Sequence, residues 1–221
     1  MKHITLIVPA HNEGIQMEET ARALLDSPLS RIADLIFVVD GCRETREAIG
    51  RAFPAAKIVF MGRTVGKGRA VWEGFLTSGS EYVGFLDADG PVSLRDAEKM
   101  CRKIIEENAD CIIASRTKIR GRGAIRALSS RAFNLLVRSL FPLPFPDTQC
   151  GFKLFRKSVL GKGKPMVEGY AFDVEFLLRV LRNGGKIQTY EVESTERKGG
   201  SFSLLSSPRM LLDLLLLKLF S

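Results

Sequence analysis

Five short apolar runs, each closed by a polar cluster and most followed by a helical pattern, limit what this chain can fold into. They are Ile4–Pro9, Leu35–Asp40, Lys57–Met61, Tyr82–Asp87 and Cys111–Ser115, rich in Val, Ile and Phe. A strand with one wet face would alternate polar and apolar residues, so these runs read as strands covered on both faces. Helical patterns lie between them at Glu13–Leu25, Glu44–Ala52, Lys67–Ser78 and Ser93–Glu107, the last with Ser93 and Asp96 spaced as a capping box. The βαβα order predicts an α/β fold with a mostly parallel sheet flanked by helices, and such sheets take ligands beyond the carboxyl ends of their strands. The second half is less regular, with helices at Ala124–Leu140 and Phe172–Asn183 and strands near Phe152–Arg156 and Lys186–Val192. No repeat or linker composition interrupts it. A single domain over residues 1–206 is expected, followed by an apolar C-terminal helix over 207–221.

The predicted strand ends carry the chemistry. Asn12-Glu13, Asp40 and Asp87-Ala88-Asp89 all fall there and are expected to converge on one edge of the sheet. Asp87 and Asp89, two carboxylates one residue apart, repel unless a positive charge lies between them. Hard oxygen ligands of this kind suit Mg²⁺ or Mn²⁺, with a substrate's phosphates filling other positions. Alone, the same spacing also closes an ordinary Asx turn. Asp40 can accept from a base or ribose group, and the backbone of Pro9 and Ala10 can frame a flat ring. Glu13 also suits a helix start, where the macrodipole favours an acid. Two phosphate-binding loops are excluded: "GRTVGKG" lacks the Ser or Thr that follows a Walker lysine, and no G-x-G-x-x-G follows the first strand. His3 and His11 support no catalytic triad.

Charge and cysteine content narrow the class. The net charge is +8, and from Cys111 to Pro146 there is no Asp or Glu, whereas Arg116, Lys118, Arg120, Arg122, Arg126, Arg131 and Arg138 all lie there. A solvated face usually mixes signs, so this stretch reads as a binding surface for an anion. It lacks the aromatic interleaving of a base-stacking platform, so no nucleic acid is expected. Cys42, Cys101, Cys111 and Cys150 have neither zinc spacing nor a disulfide pattern, which implies reduced thiols on the cytosolic side. No segment approaches the roughly 20 apolar residues of a spanning helix, and the expectation is a protein neither secreted nor by itself transmembrane. Met210–Phe220 is apolar apart from Asp213 and Lys218, and reaches about half a bilayer core at roughly 1.5 Å per residue. It can cover the core, bind a partner helix or lie in a membrane interface, and the last is the leading expectation.

The segments "IVPAHNE", "VVDG", "GKGRAVWEGF", "FLDADG", "ASR", "DTQCGFKLF", "AFDVEFL" and "ERKGGS", in this order from Ile4 to Ser203, resemble the family-2 inverting glycosyltransferases of the GT-A fold. Within them the chain is most similar to the polyprenyl- and dolichyl-phosphate hexosyltransferases. The resemblance implies that Pro9, Ala10, Asn12, Glu13, Asp40, Lys67 and Ala88 line the nucleotide-sugar site, and that Asp87 and Asp89 hold the metal and diphosphate. It places Asp147 and Gln149 near the reacting sugar, with Glu175 close by, and Arg116, Arg126 and Arg131 at the acceptor phosphate. Arg197 and Lys198 fall in an acceptor-facing loop. Pro91 stands where the mannosyl branch often has Gln, and "DADG" is more like the glucosyl branch, so UDP-glucose and GDP-mannose both stay open as donors. The expected activity is transfer of a hexose to polyprenyl or dolichyl phosphate, at the cytoplasmic face of a membrane. A glycan hydroxyl acceptor, with Asp147 as general base, is the alternative within the same fold, and a basic RNA-binding module is the alternative outside it. A phosphate monoester is already ionised near neutral pH and needs orientation rather than deprotonation, so the acid-free arginine stretch favours it.

Overall fold

A computed structural model describes residues 2–14, 16–88, 92–120, 124–145, 147–169, 171–195 and 208–220. In chain order the elements are β1 (Ile4–Ala10), α1 (Gln16–Asp26), α2 (Leu29–Ile32), β2 (Ala33–Val39), α3 (Arg43–Ala52), β3 (Lys57–Phe60), α4 (Lys67–Thr77) and β4 (Tyr82–Leu86). They continue as α5 (Leu94–Glu106), β5 (Cys111–Arg120), α6 (Ala124–Leu140), β6 (Phe152–Arg156), α7 (Phe172–Arg182), β7 (Ile187–Thr195) and α8 (Pro208–Leu219). One seven-stranded sheet runs in the order β3-β2-β1-β4-β6-β5-β7. Only β6 opposes the common direction, pairing antiparallel with both β4 and β5.

Strand periodicity builds two cores. Ile7, Ile36, Val38, Val83 and Phe85 face α4, α7 and α8 on one side, while Leu6, Val8, Phe37 and Val39 face α1, α3 and α5 on the other. Phe37, Phe85 and Phe155 are fully buried, and each stabilises the fold by about 1.5–3 kcal/mol through burial. Ser93 caps α5 as its spacing predicts, its side chain accepting from the Asp96 amide.

Two elements depart from what their apolar runs suggest. β5 continues to Arg120 because β7 pairs with it as far as Thr195, through the mostly polar stretch Arg116–Arg120. A register shift lies between Arg116 and Lys118, so a bulge at Thr117 re-aims the strand beside Arg116. α8 is amphipathic rather than uniformly apolar in its setting. Met210, Leu214 and Leu217 join the core shared with α4, α6 and α7, whereas Leu212, Leu215, Leu219 and Phe220 are more than half exposed. No helix among the described residues is long and apolar enough to cross a membrane.

Candidate active site

Parallel registers bring the ends of β1, β2 and β4 to one edge: Ala10 lies beside Val39, and Ile7 beside Phe85. The loops that leave this edge are held by backbone hydrogen bonds. Asn12 adopts a left-handed conformation, φ 55°, which a short polar side chain tolerates. The next two amides, of Glu13 and Gly14, both donate to the Thr45 hydroxyl at 3.1 and 3.2 Å. Thr45 is fully buried on α3. Nothing in its sequence position signals this role.

Asp40 is 4% exposed and its carboxylate accepts from the amides of Val65 and Gly66, at 2.6 and 3.0 Å. It therefore clamps the start of α4, a role its motif does not reveal. Gly66 makes the turn possible: its φ is 95°, and a Cβ there would meet the Glu168 carbonyl at 2.5 Å. Glu168 in turn accepts from the Gly68 amide at 2.9 Å. These contacts fix Lys67, whose ammonium reaches Asp87 Oδ1 at 2.7 Å. The cation beside Asp87 in this structure is thus a lysine.

Asp87 is seated by the "DTQCG" segment. Its amide donates to the Gly151 carbonyl at 2.9 Å, and a side chain on Gly151 would collide with the Asp87 carboxylate. Asp87 Oδ1 is buried with the Lys67 ammonium as its partner, while Gln149 Oε1 in the seating segment is buried without a hydrogen-bond partner. A buried oxygen without a partner, as Gln149 Oε1 is, is rare and costly, and the Asp87 carboxylate beside a cation is a hard oxygen donor of the kind that suits a divalent ion. Asp87 belongs to no cluster of three ligating side chains among the described residues, so such a cation would complete its coordination with donor oxygens and Asp89. Asp89 lies outside the described residues, as do Arg197 and Lys198 and the side chain of Arg126.

On the other side of the segment, Arg116 forms a two-pronged pair with Asp147, Nε to Oδ2 at 2.6 Å and Nη2 to Oδ1 at 2.9 Å. Burial works against both charges, but the hydrogen bonds and mutual attraction outweigh it, holding the Asp147 carboxyl below its ordinary range and the Arg116 guanidinium above its own. The sequence assigns these residues to acceptor phosphate and sugar; the structure gives the planar fork of Arg116 to Asp147. Arg131 is exposed on α6, one turn before Asn134. Asn134 accepts from the Thr148 amide and hydroxyl at 3.4 and 3.2 Å, docking α6 on the segment.

Glu175 on α7 holds a neighbouring loop. Its carboxylate accepts from the amides of Met166 and Val167 and from Arg179, which also donates to the carbonyls of Leu160, Gly163 and Lys164. It is a loop clamp, tying α7 to residues 166 and 167. Burial pushes the Cys150 thiol up to about 12, so it stays protonated and serves in packing.

A mostly parallel sheet with one reversed strand, and charged groups gathered past its strand ends, is an architecture of the GT-A type. The chain matches the model of "Glycosyl transferase family 2" over residues 5–163, more than half its length, and belongs to that family. It is 27% identical to a dolichyl-phosphate beta-glucosyltransferase of Dictyostelium discoideum, covering 93% of this chain and 70% of that protein. A protein of the same description from Saccharomyces cerevisiae is 26% identical, covering 98% of this chain and 74% of its own. Among solved structures, glucosyl-3-phosphoglycerate synthase of Mycobacterium tuberculosis with UDP aligns with a TM-score of 0.73 at 19% identity, over 98% of this chain and 80% of that one. The same enzyme with Mn²⁺, UDP and glucosyl-3-phosphoglycerate gives 0.72, again at 19% identity over 98% of this chain. The likeness establishes the fold.

Proposed function

We propose that this glycosyltransferase moves glucose from UDP-glucose to a polyprenyl or dolichyl phosphate, with inversion at the anomeric carbon. One observation carries the choice of acceptor: Asp147, the carboxylate that a hydroxyl acceptor would need as its base, is locked by both prongs of Arg116 and kept ionised. A weakly basic carboxylate is a poor proton acceptor, whereas a phosphate monoester needs none. The relatives' glucosyl-phosphate chemistry supports the same choice and favours glucose over mannose.

Each group then has a task. Thr45 and Asp40 hold the loops that frame the nucleotide, with Pro9, Ala10, Asn12 and Glu13 at its rim. Asp87, with Asp89, would hold Mg²⁺ or Mn²⁺. When bound, that ion supplies Lewis-acid stabilisation of the leaving diphosphate. Lys67 adds a second positive charge on the same side. Arg126 and Arg131 on α6, with Arg197 and Lys198, orient the acceptor phosphate for attack opposite the nucleotide.

The outer faces of α8 and α6 complete the reading as a membrane-interface surface at the cytoplasmic face. Leu128 and Leu135 on α6 are 69% and 68% exposed, and Leu219 on α8 is 78% exposed. Large apolar side chains left in water in this number mark a surface that another apolar phase covers. Replacing Leu212, Leu215 and Leu219 by Ser spares the inner face and should lower co-sedimentation with anionic liposomes while leaving the thermal midpoint unchanged.

The deciding assay offers a panel of nucleotide sugars with polyprenyl phosphate, with and without divalent metal. A metal-dependent glucosyl phospholipid from UDP-glucose is expected. Transfer to the unphosphorylated polyprenol at a similar rate would overturn the phosphate reading, and exclusive use of GDP-mannose would overturn the donor.

A further inference from the structure

The candidate site leaves one buried charge unexplained. Lys153 lies on β6, the only reversed strand, and is 0% exposed. Its ammonium donates to the Cys150 carbonyl at 2.7 Å and to Asp173 Oδ1 at 2.8 Å, and sits 5.2 Å from the centre of the Phe85 ring. All three protons thus have an acceptor or a ring face. Asp173 is itself 6% exposed, in the first turn of α7, where the helix dipole favours a negative charge. A buried ion pair contributes little net stability, since desolvation offsets its attraction and well-packed apolar groups do as well. Its position in the core therefore calls for another reason.

The carbonyl that Lys153 grips supplies that reason. Cys150 lies between Gln149, whose side-chain oxygen is an orphan, and Gly151, whose carbonyl holds the Asp87 amide and whose bare Cα makes room for the Asp87 carboxylate. At its other end the same segment is pinned by Arg116 through Asp147. We infer that Lys153 is a positioning residue: gripping Cys150 and anchored by Asp173, it sets the height of the 147–151 segment so that Gln149 and Asp87 are aimed together at the donor's sugar and diphosphate. This rests on the proposed donor site, although its structural part does not depend on which sugar or acceptor is used. Lys153 touches no substrate; its effect passes through the backbone. A fixed cation inside the fold is suited to this because it cannot swing out to solvent, as a surface lysine would.

The test uses the full chain and the variant Lys153→Met/Asp173→Asn, which removes both charges at nearly constant shape and leaves no buried charge unpaired. Ile104→Ala, a cavity in the core on the opposite face, controls for lost stability. With UDP-glucose and polyprenyl phosphate, the double variant should lose about tenfold or more in kcat while the donor KM stays within about threefold, and the control should keep kcat. Amide hydrogen exchange at Asp87 and Gln149 should speed up by about tenfold in the double variant and not in the control. Parent-like kcat and exchange in the double variant, or an equal loss in the control, would overturn the inference. Should the double variant not fold, Lys153→Arg keeps charge and donors on a head of different length, and its kcat and the same two amides decide: a shift supports the inference and parent-like values overturn it. The exchange measurement needs no substrate. A parent protein that glucosylates no lipid phosphate, with exchange still governed by residue 153, would reject the functional reading and retain this one.

Discussion

The side of this site proposed for the donor and the side proposed for the acceptor are built by different means. On the donor side, Asp40 and Thr45 hold backbone amides, and the glycines at 66 and 68 let two loops touch. On the acceptor side, side chain meets side chain: Arg116 with Asp147 and Thr148 with Asn134. Backbone clamps fix a loop whatever is bound, which suits a nucleotide that must always lie in one pose. Paired side chains instead hold their segment by charge, so breaking a pair costs stability as well as position. The contrast predicts that lesions on the donor side abolish activity with little change of stability, whereas lesions on the acceptor side change both.

The largest effect should come from Asp87→Asn. Turnover should fall by about a thousandfold or more, with the thermal midpoint close to the parent's, because the carboxylate's role is to stabilise leaving-group charge. Excess EDTA should do the same to the parent protein; full activity in EDTA would break the donor half of the comparison. Next is Asp147→Asn, which leaves the partly buried Arg116 without its counter-charge. Breaking a pair of this kind costs about 3–5 kcal/mol, so a lower thermal midpoint should accompany lost activity. An unchanged midpoint would show that the acceptor side is not held by this pair. Arg131→Ala should weaken use of the lipid phosphate by about tenfold, the worth of a charge-assisted hydrogen bond, and leave donor affinity unchanged. Equal loss of donor affinity would merge the two sides into one.

The smallest effect is a null one. Asp147 has a depressed pKa in the fold, so its stabilising contribution is present above the ordinary carboxylate value and is lost only as pH falls through the lower folded value. Between about pH 5 and 8 it stays ionised, and the rate profile should show no limb from it. An acidic limb near pH 6 that disappears in Asp147→Asn would restore the hydroxyl-acceptor mechanism.

The same contrast decides what the sequence could reveal. Asp40 and Asp87 stand at strand ends, and strand ends are readable from apolar runs, so their convergence was legible from periodicity alone. The partners of Asp147 and Asp173 are 31 and 20 residues away in the chain, and no local pattern encodes such a distance. β5 outran its apolar run because its last residues pair with β7. The amphipathic use of α8 was hidden for the opposite reason: a run apolar on every side carries no mark of which face meets the core. Glu175 sits in a motif that suggests a sugar pocket, yet what captures it is the local demand of two loop amides and Arg179 for an acceptor.

The reversed strand β6 has a consequence for how this chain comes together. β5 is made before β6 but lies outside it in the sheet, so the edge of β4 from Tyr82 to Leu86 has no strand to close it until residues 87–151 have been synthesised. At about 5–20 residues per second that apolar edge waits for several seconds in the cell. An open edge of this composition is a template for pairing with another chain. Nascent molecules stalled between β4 and β6 should therefore be the species that chaperones engage and that aggregate when expression outruns them.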